Sequence, residues 1–63
     1  MNMYLFITVF VGNGSRVEEH EICYLSPAQA ALHAFEIRQK YYQSKRIFSG
    51  VEVYELKHLG TVK

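Results

Sequence analysis

The chain has 63 residues, a net charge of +1 at neutral pH and one cysteine. This length allows a single domain, residues 1–63, that buries only about 60 % of its unfolded surface. An internal disulfide is excluded, and the charge argues against an acidic DNA mimic and against a strongly basic nucleic-acid coat. The apolar start is shorter than a bilayer span of about 20 residues and lacks a basic leader. We therefore expect a cytoplasmic protein that does not bind membranes.

The first predicted strand, Met3 to Val11, reads MYLFITVFV, and Thr8 is its only polar residue. A strand that is apolar on both sides needs cover on both sides, and one helix covers only one face of a small sheet. We expect the odd-numbered side chains to meet the helix, namely Met3, Leu5, Ile7, Val9 and Val11. The aromatic even-numbered side chains then lie on an uncovered face, namely Tyr4, Phe6 and Phe10.

The segment from Gly12 to Ser15 predicts a hairpin turn, because Asn-Gly tolerates positive φ angles. The second strand, Arg16 to Leu25, contains three glutamates, which suits an exposed edge. Its buried side is ambiguous. One side carries His20, Ile22 and Tyr24 and is the better core candidate; the other carries Val17, Glu19, Glu21 and Cys23. A bulge would exchange the two sides midway.

Three signals mark the start of a helix: Ser26 as cap, Pro27 at the first helical position and Gln29 completing a capping box. The helix is expected to end at about Gln43 or Lys45. Its apolar residues form two adjacent stripes, more than one sheet face requires. The first stripe is Ala28, Ala31, Leu32, Phe35 and Tyr42, and the second is Ala30, Ala34, Ile37 and Tyr41. The excess is either a contact site or is covered by the segment after the helix.

Residues Val51 to Leu56 alternate as a strand, with Val51 and Val53 expected to face the helix. The sequence does not decide whether Leu59 to Val62 form a short fourth strand. The predicted fold is α+β with the order ββαβ(β): a three- to four-stranded, mainly antiparallel sheet with one helix on one face. Since the crossover from the second to the third strand passes over an intervening strand, the first strand should be central.

The potential metal ligands and nucleophiles do not form a recognisable motif. His20, Cys23, His33 and His58 lack zinc-finger spacing, and His20 and Cys23 would point to opposite faces of a strand. Cys23 has no local histidine base or third orienting group, so a buried thiol is the simpler interpretation. We expect no catalytic residues, no metal and no cofactor, and hence a protein that is not an enzyme.

Two surfaces are candidates for binding. The aromatic sheet face, formed by Tyr4, Phe6, Phe10 and Tyr54, would dock on a protein, because Glu52 shares its side and disfavours phosphate. The alternative is a nucleic-acid site at the basic, aromatic end of the helix, where cations would contact phosphates and tyrosines would stack on bases. That site consists of Arg38, Lys40, Tyr41, Tyr42, Lys45 and Arg46. A third possibility is a homodimer that buries the aromatic face or the spare helix stripe.

The order of strand, Asn-Gly turn, acidic strand, Ser-Pro helix cap and strand, from Tyr4 to Leu56, resembles small phage-encoded host-takeover proteins. These include inhibitors of host RNA polymerase, anti-CRISPR proteins and phage antitoxins. The resemblance lies in architecture alone and transfers no site residue. It implies a bare scaffold that binds one host protein and blocks it. A ribosomal-protein module has a similar layout and binds RNA, but such modules are usually much more basic.

Overall fold

The computed structural model describes residues 1–43, 47–57 and 59–62. The chain forms strand β1 (Asn2–Gly12), strand β2 (Ser15–Leu25), helix α1 (Pro27–Tyr41) and strand β3 (Phe48–Leu56). The strands make one sheet in the order β2-β1-β3, with β1 antiparallel to both neighbours. The predicted α+β arrangement with a central first strand is confirmed. Residues 59–62 form no strand, so the described sheet has three strands.

The turn between β1 and β2 has the backbone that its sequence predicts. Asn13 and Gly14 adopt positive φ angles of 52° and 75°, and Gly12 pairs with Ser15 across the turn. Two consecutive left-handed residues match the twist of a hairpin, and asparagine and glycine adopt that conformation at low cost. The turn therefore fixes the β1–β2 register from Gly12↔Ser15 to Asn2↔Leu25.

Helix α1 begins with the predicted capping box. The Ser26 hydroxyl accepts a hydrogen bond from the Gln29 backbone N–H at 3.2 Å, and the Gln29 side chain accepts one from the Ser26 N–H at 2.9 Å. Pro27 occupies the first turn, where its missing N–H costs nothing. The helix ends at Tyr41, two residues before Gln43, and Lys45 lies outside the described residues. No helix within the described ranges has the length and apolar character that crossing a membrane requires.

Strand β3 begins earlier than its alternating pattern predicts, because a bulge joins its two parts. Val9 pairs with Gly50 and Phe10 pairs with Phe48, which leaves Ser49 as the extra residue. The bulge places Phe48 beside Phe10, with ring centroids 6.2 Å apart.

The helix covers the aromatic face of β1, which corrects the prediction that this face is open. Tyr4, Phe6 and Phe10 are only 7 %, 1 % and 5 % exposed, and Tyr4 and Phe6 pack with Ala30 of α1 in the core. The predicted helix-facing residues lie on the opposite side of β1, where Met3 and Val11 are exposed and Leu5 and Ile7 are half-buried. Val9, on that side as well, is buried.

The reason is a match of side-chain volume between the helix and the strand. The helix presents small side chains, Ala30 and Ala34, toward the sheet, and these leave room for the bulky Tyr4 and Phe6. Burying aromatic rings removes more apolar area from water than burying the aliphatic side chains of the same strand. The second predicted helix stripe, which includes Ile37, thus faces the core. Leu32, Phe35 and Tyr42 of the first stripe remain exposed.

The preferred facing of β2 is also wrong. Cys23 and Leu25 pack against the core, whereas Ile22 and Tyr24 are 60 % and 62 % exposed. Strand pairing dictates this outcome, because Cys23 lies opposite Tyr4 and directly paired residues share a face. On β3, Val51 packs against the core as predicted, but Val53 remains 42 % exposed.

Candidate functional site

The sheet face that the helix does not cover, called here the open face, carries apolar side chains from all three strands. At one end, pairing aligns them in two rows across the sheet, Tyr24–Met3–Leu56 and Ile22–Leu5–Tyr54. We call these six residues the apolar half. All except the half-buried Leu5 are between 37 % and 62 % exposed. They form a continuous apolar patch of the kind that monomeric proteins usually cover.

The other end of the open face carries a charged network, the charged half. The Arg16 guanidinium lies 2.6 Å from the Glu18 carboxylate and 3.2 Å from that of Glu52 on the far strand. The Arg16–Glu52 pair thus crosses the central strand near Val9, which is only 3 % exposed. His20 donates to Glu18 at 2.9 Å. Hydrogen bonds from His20 and Arg16 lower the pKa of Glu18 below its ordinary value.

Tyr54 links the two halves of the open face. Its hydroxyl donates a hydrogen bond to the Glu52 carboxylate at 3.0 Å, and its ring lies in the row of Ile22 and Leu5. This hydrogen bond, together with the charge of Glu52, raises the pKa of the Tyr54 hydroxyl. A tyrosine with an apolar ring and a polar tip suits the boundary between an interface core and its rim.

The structure thus separates the four residues predicted to form one docking surface. Tyr4, Phe6 and Phe10 lie inside the protein, and Tyr54 alone is on the open face. The sequence interpretation missed Met3, Leu5, Ile22, Tyr24 and Leu56 as surface neighbours of Tyr54. Ile22 and Tyr24 share one side of the second strand, which is a usable signal for an apolar face but does not decide whether that face is buried.

The basic end of the helix is partly committed to packing. The Tyr41 ring meets Phe10 edge to face at 5.1 Å and stacks on Phe48 at 6.3 Å, and its hydroxyl donates to Glu19. Lys40 lies 5.2 Å from the centroid of this ring. Arg38 lies over the exposed Tyr42 ring at 4.9 Å. Lys45 and Arg46 fall outside the described residues.

A second group of functional side chains meets between β2 and α1. Glu21 and Cys23 project from the helix-facing side of β2, and His33 reaches them from the helix. His33 Nε2 lies 2.5 Å from a Glu21 oxygen and 4.0 Å from Cys23 Sγ. Spacing along the sequence did not indicate this group, because strand and helix bring its members together only in the folded chain.

This group is poorly arranged for a nucleophilic cysteine. The same nitrogen, His33 Nε2, faces both Glu21 and Cys23, so the carboxylate competes for the nitrogen that would take the thiol proton. Burial raises the pKa of the Cys23 thiol, and the neighbouring Glu21 charge raises it further. A reactive thiolate needs the opposite shift. The hydrogen bond with His33 meanwhile lowers the pKa of Glu21.

Comparison with known proteins adds no further identification. No protein-family model matches the sequence, and neither the curated proteins nor the solved structures contain a significant match.

Proposed function

We propose that this protein is a small, non-enzymatic binding module of the cytoplasm that docks the open face of its sheet on a partner protein and covers a functional surface there. One observation carries the proposal: the helix covers one face of the sheet, and the other face exposes apolar side chains from all three strands. The free thiol of Cys23 suits a reducing compartment.

The composition of the open face resembles that of a protein interface. Its apolar half contains two tyrosines and a methionine, Tyr24, Tyr54 and Met3, which are residue types enriched at interface cores. The charged half supplies a polar rim beside it. Strands of about ten residues rise about 3.3 Å per residue and lie about 4.8 Å apart, so the three-stranded face measures on the order of 500 Å² before side-chain relief. Each partner in a stable complex buries about 800 Å², so this face supplies more than half of that area.

The charges favour a protein over a nucleic acid as the occupant. Glu18 and Glu52 flank Arg16 on the open face and hold its guanidinium in ion pairs. Among the described residues, a phosphate backbone approaching this face would meet two carboxylates and one arginine that is already paired with them. The partner we propose presents an apolar surface edged by basic side chains. Such occlusion is the mechanism implied by the resemblance to phage-encoded inhibitors.

The test is an affinity capture with the tagged protein and two matched variants. Ile22→Glu places a charge in the apolar half, and Leu32→Glu makes the same change on the exposed side of the helix, where Leu32 is 57 % exposed. Both positions are more than half exposed, so both variants should fold. We expect a specific protein to be retained by the wild type and by Leu32→Glu, and to be lost with Ile22→Glu. Retention of that protein by Ile22→Glu would refute docking through the open face.

Sedimentation of the same three proteins at micromolar concentration identifies the competing occupant, a second copy of this chain. If the wild type is a dimer and only Ile22→Glu is a monomer, the open face binds a second copy of this chain and not a different protein. A salt titration with RNA and DNA tests the nucleic-acid alternative, since affinity that falls steeply with salt reports phosphate contacts.

A further inference from the structure

The cluster of Glu21, Cys23 and His33 combines three different metal-ligating groups in one place. One ligand atom from each residue lies within 4.8 Å of the other two. Glu21 and Cys23 are two positions apart on β2 and therefore point to the same side, and His33 meets them from α1. We propose that these three residues bind one Zn²⁺ ion, which fastens the helix to the edge strand.

The interatomic distances need only small adjustments to hold zinc. With Zn–N and Zn–O near 2.0 Å and Zn–S near 2.3 Å, tetrahedral geometry separates nitrogen from oxygen by about 3.3 Å and nitrogen from sulfur by about 3.6 Å. In the structure His33 Nε2 is 2.5 Å from the Glu21 oxygen and 4.0 Å from Cys23 Sγ. The sulfur must approach by a few tenths of an ångström and the carboxylate must retreat by less than about 1 Å. The Glu21 side chain is 55 % exposed, so solvent rather than packed protein surrounds more than half of it.

The imidazole of His33 packs on an aromatic ring and directs its two nitrogens at different side chains. The ring meets buried Phe6 edge to face, with centroids 4.6 Å apart. Nε2 faces the two other ligands, while Nδ1 lies 4.0 Å from a carboxylate oxygen of Glu36, one turn along the helix. Metal-bound histidines almost always direct their second nitrogen at a carboxylate, a carbonyl or water, which fixes the tautomer and the ring angle.

The ligand set selects the class of metal. A thiolate and an imidazole do not suit Mg²⁺ or Ca²⁺, which require oxygen ligands, whereas Zn²⁺ accepts sulfur, nitrogen and oxygen together. Three protein ligands leave the fourth tetrahedral position to water. Binding displaces the proton that lies between His33 and Glu21 and releases the thiol proton of Cys23 to solvent.

Cobalt is the probe for this site, because a Co²⁺–thiolate bond absorbs by charge transfer and the chain has a single cysteine. The full chain, kept reduced with a phosphine, is titrated with CoCl₂, and Zn²⁺ is then added to displace the cobalt. We expect one metal ion per chain, with both the charge-transfer absorption and the visible bands of tetrahedral cobalt. Zn²⁺ alone should raise the melting temperature by several degrees, since the metal binds the folded state preferentially.

Substitutions assign the remaining ligands. Cys23→Ser should abolish the charge-transfer band, and His33→Gln and Glu21→Gln should each weaken binding at least about tenfold. Glu36→Gln should weaken it less, because the Glu36 carboxylate lies 4.0 Å from His33 Nδ1 and does not touch the metal. His20→Gln is the matched control, because His20 projects from the opposite face of β2. Circular dichroism checks that each variant is folded, and the exposed Glu21 provides the variant least expected to disturb packing.

Three results would overturn the site. They are the absence of a thiolate band in the wild type, wild-type affinity in both His33→Gln and Glu21→Gln, and a complex of one metal with two chains. The proposal is independent of docking through the open face, since the cluster lies on the helix-covered side of the sheet.

Discussion

Phe6 and His33 meet edge to face across the interface between sheet and helix, with an interplanar angle of 83°. This contact joins the most buried side chain of the described core to the cluster between β2 and α1. It also identifies the side of the central strand that faces the helix. A polar ring on the helix is therefore held in place by an apolar ring that never reaches solvent.

Replacing Phe6 should cost most of the stability of the fold. Phe6→Ala removes a ring that is only 1 % exposed, and such truncations typically cost about 3–5 kcal/mol. The hydrophobic core of a domain of this size supplies a net stability of about the same amount. We therefore expect the variant to be largely unfolded at room temperature. Urea denaturation followed by far-ultraviolet circular dichroism measures the loss. The matched control is Phe35→Ala on the helix, where Phe35 is 53 % exposed and the change should be below about 1 kcal/mol.

The capping box should contribute measurably to the helix. Ser26→Ala removes the acceptor for the Gln29 N–H, and we expect a loss of about 1 kcal/mol in the free energy of unfolding. Ser15→Ala, in the exposed β1–β2 turn region, is the control for removing a hydroxyl. Equal denaturation midpoints for the two variants would contradict a role for the cap.

The hairpin turn offers a test of backbone conformation alone. Gly14 has a φ of +75°, and a Cβ added there would meet no atom within 4 Å. Gly14→Ala should therefore destabilise only through left-handed strain, by about 1–2 kcal/mol. Asn13→Gly, at a φ of 52°, relieves strain of the same kind and should leave stability within about 0.5 kcal/mol of the wild type. Thermal melts of both variants give the comparison, and a neutral Gly14→Ala would exclude the left-handed turn.

The charged half of the open face should make the stability of the fold decrease at acidic pH. The pKa of Glu18 is held below its ordinary value by His20 and Arg16, so the folded state binds the Glu18 proton less readily than the unfolded state. The contribution of the Glu18 carboxylate to the stability of the fold is therefore fully present above its ordinary pKa of 4.5. This contribution is lost as the pH falls through the lower pKa that Glu18 has in the folded state.

Glu18→Gln tests this linkage by urea denaturation at several pH values between 7 and 3. The variant should be less stable than the wild type at neutral pH, and its stability should fall less steeply in acid. Glu55→Gln removes the same charge from the helix-facing side of β3, opposite Tyr4, and serves as the control. Parallel stability curves for the wild type and Glu18→Gln would show that the network adds nothing.

Local signals predicted the elements of this fold well, because their causes are local. The Asn13-Gly14 turn and the Ser26 cap each depend on a few adjacent residues, and both have the expected geometry. The end of the helix and the start of β3 were less well predicted. The bulge at Ser49, which extends β3 back to Phe48, depends on pairing with a distant strand.

The orientation of β1 could not be derived from its own sequence, since both of its sides are apolar. The choice is made by Ala30 and Ala34, which allow the helix to approach the Tyr4 and Phe6 rings closely. Once that side is chosen, pairing fixes Cys23 inward and Tyr24 outward. One reversed orientation therefore misplaced three of the four residues of the proposed docking surface, although the order of the strands was correct.

The central position of β1 also imposes a sequence of events on folding. Its pairing with β2 needs only the short Asn13-Gly14 turn, and hairpins of this kind close in about 1–10 μs. Pairing with β3 brings together Phe10, which precedes the helix in the sequence, and Phe48, which follows it. This pairing must therefore close a much longer loop. During that delay β1 is itself an unpaired edge, open to the β3 segment of another molecule. We therefore expect strand exchange at this edge to be the main misfolding route, which would appear as dimers after refolding at high protein concentration.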